Sequence, residues 1–400
     1  MQDGDLTLFD LERYMFDIEL KGRAMERRHF IAVLGGGAIL AAGTAAGLIA
    51  GRRPRTALMP WQVAGAGHAD PRVRALSWAI LAPNPHNRQP WQVDLSVPDQ
   101  AVLHVDTERL LPQTDPFSRQ ITIGLGCFIE LAVMAAAQDG IAVAAEVFPE
   151  GTDAAALDRR PVAILRFGGP TQADPLFAHC LERRSNKEPY DTAMPVAQDA
   201  LDAILAAARH GRATGSVAAQ DIAEMRALTH EALAIEIDTP RTYLESVDLF
   251  RIGARAVDAN PDGIDFTGPM FELLGATGMM GRAALLDPSS VAYRAGRAAV
   301  FENTDTAMGH LWLVTEGNAR VDQIAAGRDW LRLNLAATRA GVAMQPLSQA
   351  LQEYPEMEAL HGQVHARLAP GGGTVQMLAR IGYGSSVSPS PRWPLETKLI

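Results

Sequence analysis

The sequence predicts an α+β fold in two halves, each with helices packed on a mixed sheet. Three observations predict it. A chain of 400 residues exceeds the usual limit for one hydrophobic core, so two domains or a fused pair are expected. Segments of helical periodicity alternate along the chain with short alternating or continuously apolar runs, the mark of helices interleaved with strands. An apolar content of 48% is ample for buried cores.

In chain order, residues 1–55 form an N-terminal extension. Glu26-Arg27-Arg28-His29-Phe30-Ile31 precedes an uncharged run from Ile31 to Gly51, and Arg52, Arg53 and Arg55 follow it. Paired arginines before a weakly hydrophobic, Gly/Ala-rich run read as a twin-arginine export signal or an anchor derived from one. The chain is therefore expected to engage the twin-arginine (Tat) machinery and to be periplasmic or membrane-anchored. Residues 56–170 form the first half. Pro71 to Leu81 reads as a helix, Gln92 to Leu95 and Ala101 to Val105 as strands, Ile121 to Gln138 as an apolar helix, and Ala142 to Phe148 and Val162 to Phe167 as strands. Residues 171–400 form the second half. A short helical run from Pro175 to Glu182 comes first, then helices over Leu201 to His210, Asp221 to Ile237 and Val321 to Ala340, with strands at His310 to Val314 and Val375 to Ile381. Between about 239 and 304 the pattern breaks into Gly, Met and Pro interruptions. This segment reads as a helical insertion or lid with Phe271, Met279 and Met280 as an apolar wall, or as a plain core excursion. The Gly275-to-Gly281 cluster lacks the strand-turn-helix context of a dinucleotide fingerprint.

Composition removes several function classes. The charge is 36 minus 46, or −10, which disfavours nonspecific nucleic-acid binding. Only Cys127 and Cys180 are present, so neither a disulfide framework nor a Cys-rich metal site is expected. His361 and His365 could share a helix face, but no adjacent acidic ligand accompanies them. No Ser-His-Asp order or His-Glu-x-x-His run supports a hydrolase.

Three motifs carry chemistry. Ala82-Pro83-Asn84-Pro85-His86-Asn87-Arg88-Gln89-Pro90-Trp91 places polar side chains between prolines that fix φ, at a helix-to-strand junction. Arg183-Arg184-Ser185-Asn186-Lys187-Glu188-Pro189-Tyr190 gathers two guanidinium groups, a hydroxyl and an ammonium, a set suited to a phosphate. Near the end stand Arg380-Ile381-Gly382-Tyr383-Gly384 and Pro391-Arg392-Trp393-Pro394-Leu395-Glu396, and before them Ala340-Gly341-Val342-Ala343-Met344-Gln345-Pro346-Leu347-Ser348.

The first motif resembles the Pro-Ser-x-x-Asn-x-Gln-Pro-Trp signature of the nitroreductase superfamily, with Asn84 and Pro85 where the family usually has small hydroxyl residues. The second resembles the Arg-Arg-Ser-x-Arg/Lys-x-Phe signature of the same family, and the ending resembles its Arg-x-Pro-Leu-Glu. The resemblance implies a three-layer α+β fold that binds FMN at a dimer interface. It implies that Pro83, Asn84, Pro85 and Asn87 line the cofactor, and that Arg183, Arg184, Ser185 and Arg392 hold its phosphate and ribityl chain. Lys187 would lie near N1 and the C2 carbonyl, and Gln345, Pro346 and Leu347 near N5 and O4. The Asn87 motif precedes the Arg183 motif, the reverse of the family order. The chain thus resembles two halves in tandem, a fused pseudo-dimer of the Acg-like branch, with one composite FMN site and an eroded reciprocal one. The implied activity is two-electron transfer through flavin N5 to a small-molecule acceptor. The donor would be NAD(P)H in the cytoplasm and is open for an exported chain. The alternative is a flavin-sequestering protein without turnover.

Overall fold

The computed structural model describes residues 51–400, so the twin-arginine motif and most of the apolar run after it lie outside the described residues. Twelve helices are described, together with several single 3-10 turns. They are α1 (Met59–Val63), α2 (Pro71–Ala79), α3 (Arg119–Gln138), α4 (Gln198–Leu205), α5 (Ala219–Asp238), α6 (Pro240–Asp248), α7 (Ala254–Ala259), α8 (Pro269–Thr277), α9 (Arg282–Leu286), α10 (Val291–Asp305), α11 (Arg320–Arg339) and α12 (Glu358–Leu368). The strands are β1 (Trp91–Asp94), β2 (Gln100–Val105), β3 (Ile141–Val147), β4 (Ala163–Pro170), β5 (Arg212–Ser216), β6 (Phe250–Ile252), β7 (Ile264–Phe266), β8 (Gly309–Thr315), β9 (Ala343–Pro346) and β10 (Thr374–Gly382).

The α+β class holds, but the expected mixed sheet does not. The strands form two separate four-stranded sheets, ordered β1-β2-β4-β3 and β5-β8-β10-β9, and every pairing in them is antiparallel. Among the described strands, the one parallel pair is the small β6–β7 ribbon. The two orders are the same pattern: in each sheet the strands run first, second, fourth, third along the chain, and one long helix joins the second strand to the third. Those helices, α3 and α11, have twenty residues each.

They pack on each other through Ile123-x-x-Gly126 and Ile324-x-x-Gly327. A Cβ built on Gly327 would lie 2.9 Å from the Gly126 Cα, and one built on Gly126 would lie 3.0 Å from the Gly327 Cα. Only glycine fits on either side, and the contact is reciprocal in the way a two-fold interface is. The first residue of each helix reaches across as well. Arg119 donates to the carbonyls of Leu351 (2.6 Å) and Gln376 (2.7 Å) in the second half, and Arg320 to those of Asp153 and Ala154 (both 3.1 Å) in the first. Helix α3 is apolar and long enough to cross a membrane, yet nearly all of it is buried here as core. Its start is fixed by Asp115, whose carboxylate accepts from the amides of Gln120 and Ile121.

Two further departures have local causes. The helix expected over Leu201 to His210 stops at Leu205, because the Asp329 carboxylate takes the amides of Arg209, His210 and Gly211 at 2.7, 2.8 and 2.7 Å. Pro175 to Glu182 forms one 3-10 turn, Pro175–His179, rather than a helix. The interrupted segment between β5 and β8 is an insertion of helices α6 to α10 around the β6–β7 ribbon, whereas β1 and β2 are joined by a short turn. Met279 is 50% exposed at its tip and forms no wall, while Phe271 packs 5.3 Å from Phe266. The C-terminal tail leaves the second sheet and returns to the first, where Leu399 bridges Val93.

Candidate functional site

The Pro83–Gln89 loop follows α2 and lies on α3, where a Cβ on Gly124 would meet the Asn84 Cβ and Pro85 Cδ at 3.1 Å. Three of its residues adopt left-handed backbone: His86 (φ 46°), Asn87 (φ 51°) and Gln89 (φ 50°). Such conformations cost about 1–3 kcal/mol each in a non-glycine residue and persist only when the surroundings impose them. The surroundings do so. Asn84 Oδ1 accepts from the Gln89 amide at 2.7 Å, and its Nδ2 donates to Ala82 O. The Gln89 carboxamide donates to Pro261 O (2.6 Å) and accepts from the Trp393 amide (2.9 Å), while buried Lys398 donates to Gln89 O (3.0 Å). The predicted ligand Asn84 therefore spends both polar atoms inside its own loop and is a brace. Pro83 is buried beneath it.

Arg392, from the returning tail, is 2% exposed and ties this loop to the end of the preceding helix. It donates to the carbonyls of Ile80 (2.8 Å), Leu81 and Ala82 (both 3.1 Å) and to Asn87 Oδ1 (2.6 Å). Asn87 Nδ2 donates in turn to Pro391 O. Arg183, 4% exposed, donates to the same Leu81 carbonyl at 3.1 Å. The indole of Trp61 lies under both the Arg184 (5.1 Å) and Arg392 (5.4 Å) guanidinium groups. The structure thus brings Arg183, Arg184, Arg392 and Asn87 to one place, although Asn87 and Arg392 stand 305 residues apart in the chain. None of Arg183, Arg184, Lys187 and Arg392 forms a salt bridge among the described residues. Burial, followed by Arg184, lowers the Arg183 pKa to about 10; burial, followed by Arg183, lowers that of Arg392 to about 9. Positive charge is concentrated there with no carboxylate in direct contact, Asp265 and Glu182 acting only at longer range, an arrangement that a phosphate dianion complements.

Ser185 is half-buried beside this cluster, and Asn186 ties the segment to β9 by donating its amide to Met344 O. Lys187 is exposed, yet enough protein surrounds it to lower its pKa, with Asp265 pulling the other way. Two groups that sequence reading missed lie within electrostatic reach of Lys187. His86 is driven down to about 4 by burial and then by Lys187, so its imidazole is neutral. Asp265, on β7, is raised by burial although Lys187 and Arg392 draw it down.

On β9, Gln345 pairs across the sheet with Arg380, and its Oε1 accepts from Arg380 Nε at 2.6 Å. Pro346 has no N–H, and the Leu347 amide is bonded to Leu378 O at 2.8 Å. Contrary to the expectation for this segment, Leu347 has no backbone donor to offer a ligand, because it continues the pairing of β9 with β10. Gly382 and Gly384 are required where they stand, since the Tyr190 ring would lie 2.5 and 3.0 Å from a Cβ at those positions. Of the missed residues, Gln89 and Arg380 stand inside the motifs, but nothing in the pattern marks Trp61, Asp265 or Lys398.

The corresponding connection in the second half, between α4 and β5, is the one occupied by Asp329. There the three amides that could face an anion already hold the chain's own carboxylate, and Arg332 is paired with Glu130 and Asp174. Two surface cavities, of about 580 and 370 Å³, lie elsewhere, side by side against α6. They share Pro112, Gln113 and Arg241 and contain none of the predicted site residues, although Arg88 on the second adjoins Asn87.

Among curated proteins, the chain is 28% identical over 338 residues to the Mycobacterium tuberculosis protein Rv3131, provisionally named an NAD(P)H nitroreductase. The match covers 80% of this chain and 91% of the relative. Its relatives are nitroreductases by name. A second, the M. tuberculosis protein acg, is provisionally given the same name and is 29% identical over 120 residues, covering 29% of this chain and 36% of its own. Solved structures that match include a provisionally named nitroreductase from Anabaena variabilis (11% identity, 85% of this chain and 91% of that one, TM-score 0.42). Another is the FMN-dependent nitroreductase NfnB from Mycobacterium smegmatis in complex with NADPH (19%, 54% and 92%, TM-score 0.32). No family model matches the chain.

Proposed function

We propose that the chain is an FMN-dependent oxidoreductase of nitroreductase type that passes two electrons to a small acceptor. The observation that carries this reading is the cluster of buried Arg183 and Arg392 with half-buried Arg184, free of salt bridges and set on the strained Asn87 loop. FMN, when bound, supplies the two-electron chemistry. The chain's own residues bind and tune it. Arg183, Arg184 and Arg392 neutralise the phosphate, Ser185 adds a hydroxyl, Asn87 and Pro85 support the loop, and Lys187 holds positive charge where the ring gains electrons. The relatives' name points to NAD(P)H as donor.

The same reading makes residues 56–170 and 171–400 two nitroreductase-like halves fused into a pseudo-dimer, supported by the shared strand order and the Gly126–Gly327 crossing. One site is then composite, and Asp329 fills the other. The twin-arginine motif supports export of the folded protein to the periplasm or the membrane, where no NAD(P)H pool is expected. A flavin-sequestering role is the second reading, favoured by the insertion that closes over the loop: Pro261 O accepts from Gln89, the Gly263 amide donates to Asn87 O, and Asp262 is held by Arg109 and Arg251. The visible spectrum of the purified chain, before and after anaerobic NADPH, separates the readings. Bleaching of a bound flavin supports turnover, a flavin that stays oxidised supports sequestration, and a colourless protein that FMN cannot reconstitute refutes both.

A further inference from the structure

Arg380 is fully buried, at 0% exposure, and remains charged at neutral pH, burial lowering its pKa only to about 10. Its guanidinium stacks on the Tyr190 ring at 3.7 Å. Around its edge, Nε donates to Gln345 Oε1 (2.6 Å), Nη1 to Thr306 Oγ1 (3.2 Å), and Nη2 to the carbonyls of Glu188 (2.7 Å) and Asn186 (3.5 Å). Those two carbonyls stand on either side of Lys187. The Tyr190 hydroxyl donates to the Asn186 carbonyl as well, at 3.0 Å, so the turn carrying Lys187 is held from two directions. Because Arg380 takes the Gln345 oxygen, the Gln345 amide nitrogen must face away from it, and that half-buried residue's N–H donors have no hydrogen bond among the described residues. A planar fork that stacks on one face while it donates along its edge is a task lysine cannot reproduce.

We propose that Arg380 is a positioning residue. By fixing the Gln345 carboxamide and the backbone on both sides of Lys187, it holds two donors, Gln345 Nε2 and Lys187 Nζ, for the cofactor site and so sets how readily the bound ring accepts electrons. This rests on the FMN reading above.

The test compares the full-length protein with Arg380→Lys, Gln345→Leu and the double variant, measuring FMN stoichiometry, melting temperature and the reduction potential of bound FMN. Arg380→Lys is expected to keep FMN and to lower the equilibrium constant for reduction about tenfold, a potential about 30 mV more negative for a two-electron couple. Gln345→Leu is expected to shift it in the same direction, and the double variant to shift it by less than the sum, since the two residues act as one unit. A purely structural arginine would lower the melting temperature and leave the potential in place. If Arg380→Lys does not fold, Gln345→Leu decides alone. An unchanged potential with FMN bound, or strictly additive shifts, overturns the proposal and leaves the FMN reading standing. A wild-type protein that takes up no FMN overturns both.

Discussion

Replacing Gly327 by alanine puts one methyl group into the crossing of α3 and α11. Built on the existing backbone, that carbon would stand 2.8 Å from the Ile123 carbonyl carbon and 2.9 Å from the Gly126 Cα, with the Ile123 carbonyl oxygen closer still. Carbon pairs rest at about 3.5–4.0 Å, so the two helices must separate by roughly 0.7 Å or more. All the close atoms are backbone, so no side chain can rotate away. Overpacking of a rigid core costs about 1–3 kcal/mol and occasionally more, and here two twenty-residue helices move together, so about 3 kcal/mol is expected. At roughly 2–4 °C per kcal/mol for a protein of a few hundred residues, the melting temperature should fall by about 6–12 °C. The same exchange at Gly296, inside α10, meets no atom within 4 Å. Gly296→Ala should therefore stabilise by about 0.5–1 kcal/mol through helix propensity and unfolded-chain entropy. Calorimetry on the pair isolates the crossing, because the chemical change is identical. If Gly327→Ala melts with the wild type, the helices do not meet as described, and the argument for a fixed two-half core fails with it.

Three other outcomes are expected. Arg392→Ala removes the donors that this buried guanidinium gives to the Ile80, Leu81 and Ala82 carbonyls; Leu81 keeps Arg183 and Ala82 keeps Asn84, while the orphaned Ile80 carbonyl costs about 1–3 kcal/mol, and the protein should fail to retain FMN through dialysis, undiminished stoichiometry taking Arg392 out of the clamp. Lys187→Met should keep FMN but make it harder to reduce, and an unaltered potential would remove the cation from that role. Glu236, buried and bonded to Gln352, has its pKa pushed up from 4.5 to about 7 by burial, so the folded protein holds a proton that the unfolded chain has released between those values. The unfolded state binds fewer protons there, so this group's stabilising contribution is full below about pH 4.5 and is lost as pH rises through 7. Glu236→Gln should therefore gain on the wild type in denaturant titrations as pH rises across that window; a constant difference between pH 5 and pH 7.5 would show that Glu236 does not titrate within it.

What was legible in the sequence follows from what residue types can carry. Arg183 and Arg184 suggest an anion site by residue type, Arg392 entered only through the resemblance of the ending, and the structure gathers all three. The helices α3 and α11 were legible to within two residues, because periodicity over twenty positions leaves little choice. Strand pairing was not legible, since neither β5 nor β9 is long or apolar enough to reveal its partner, and the two sheets read as mixed. The blocking of the Leu347 amide by Leu378 and the commitment of Asn84 to its own loop are facts of backbone register and of left-handed φ at His86, Asn87 and Gln89, which one-dimensional pattern does not encode. The Asp329 carboxylate looked like any helical aspartate. Only its three amide partners, some 120 residues earlier, explain why α4 ends where it does.

The returning tail has a consequence for how the protein is made. Arg392 and Lys398 close on a loop translated about three hundred residues before them, and they stand within the last nine positions of the sequence given. Contacts of such sequence separation form only after the chain between them has been ordered. The left-handed backbone at His86, Asn87 and Gln89 is therefore imposed late, once the second half has folded and its tail has crossed back to the first sheet.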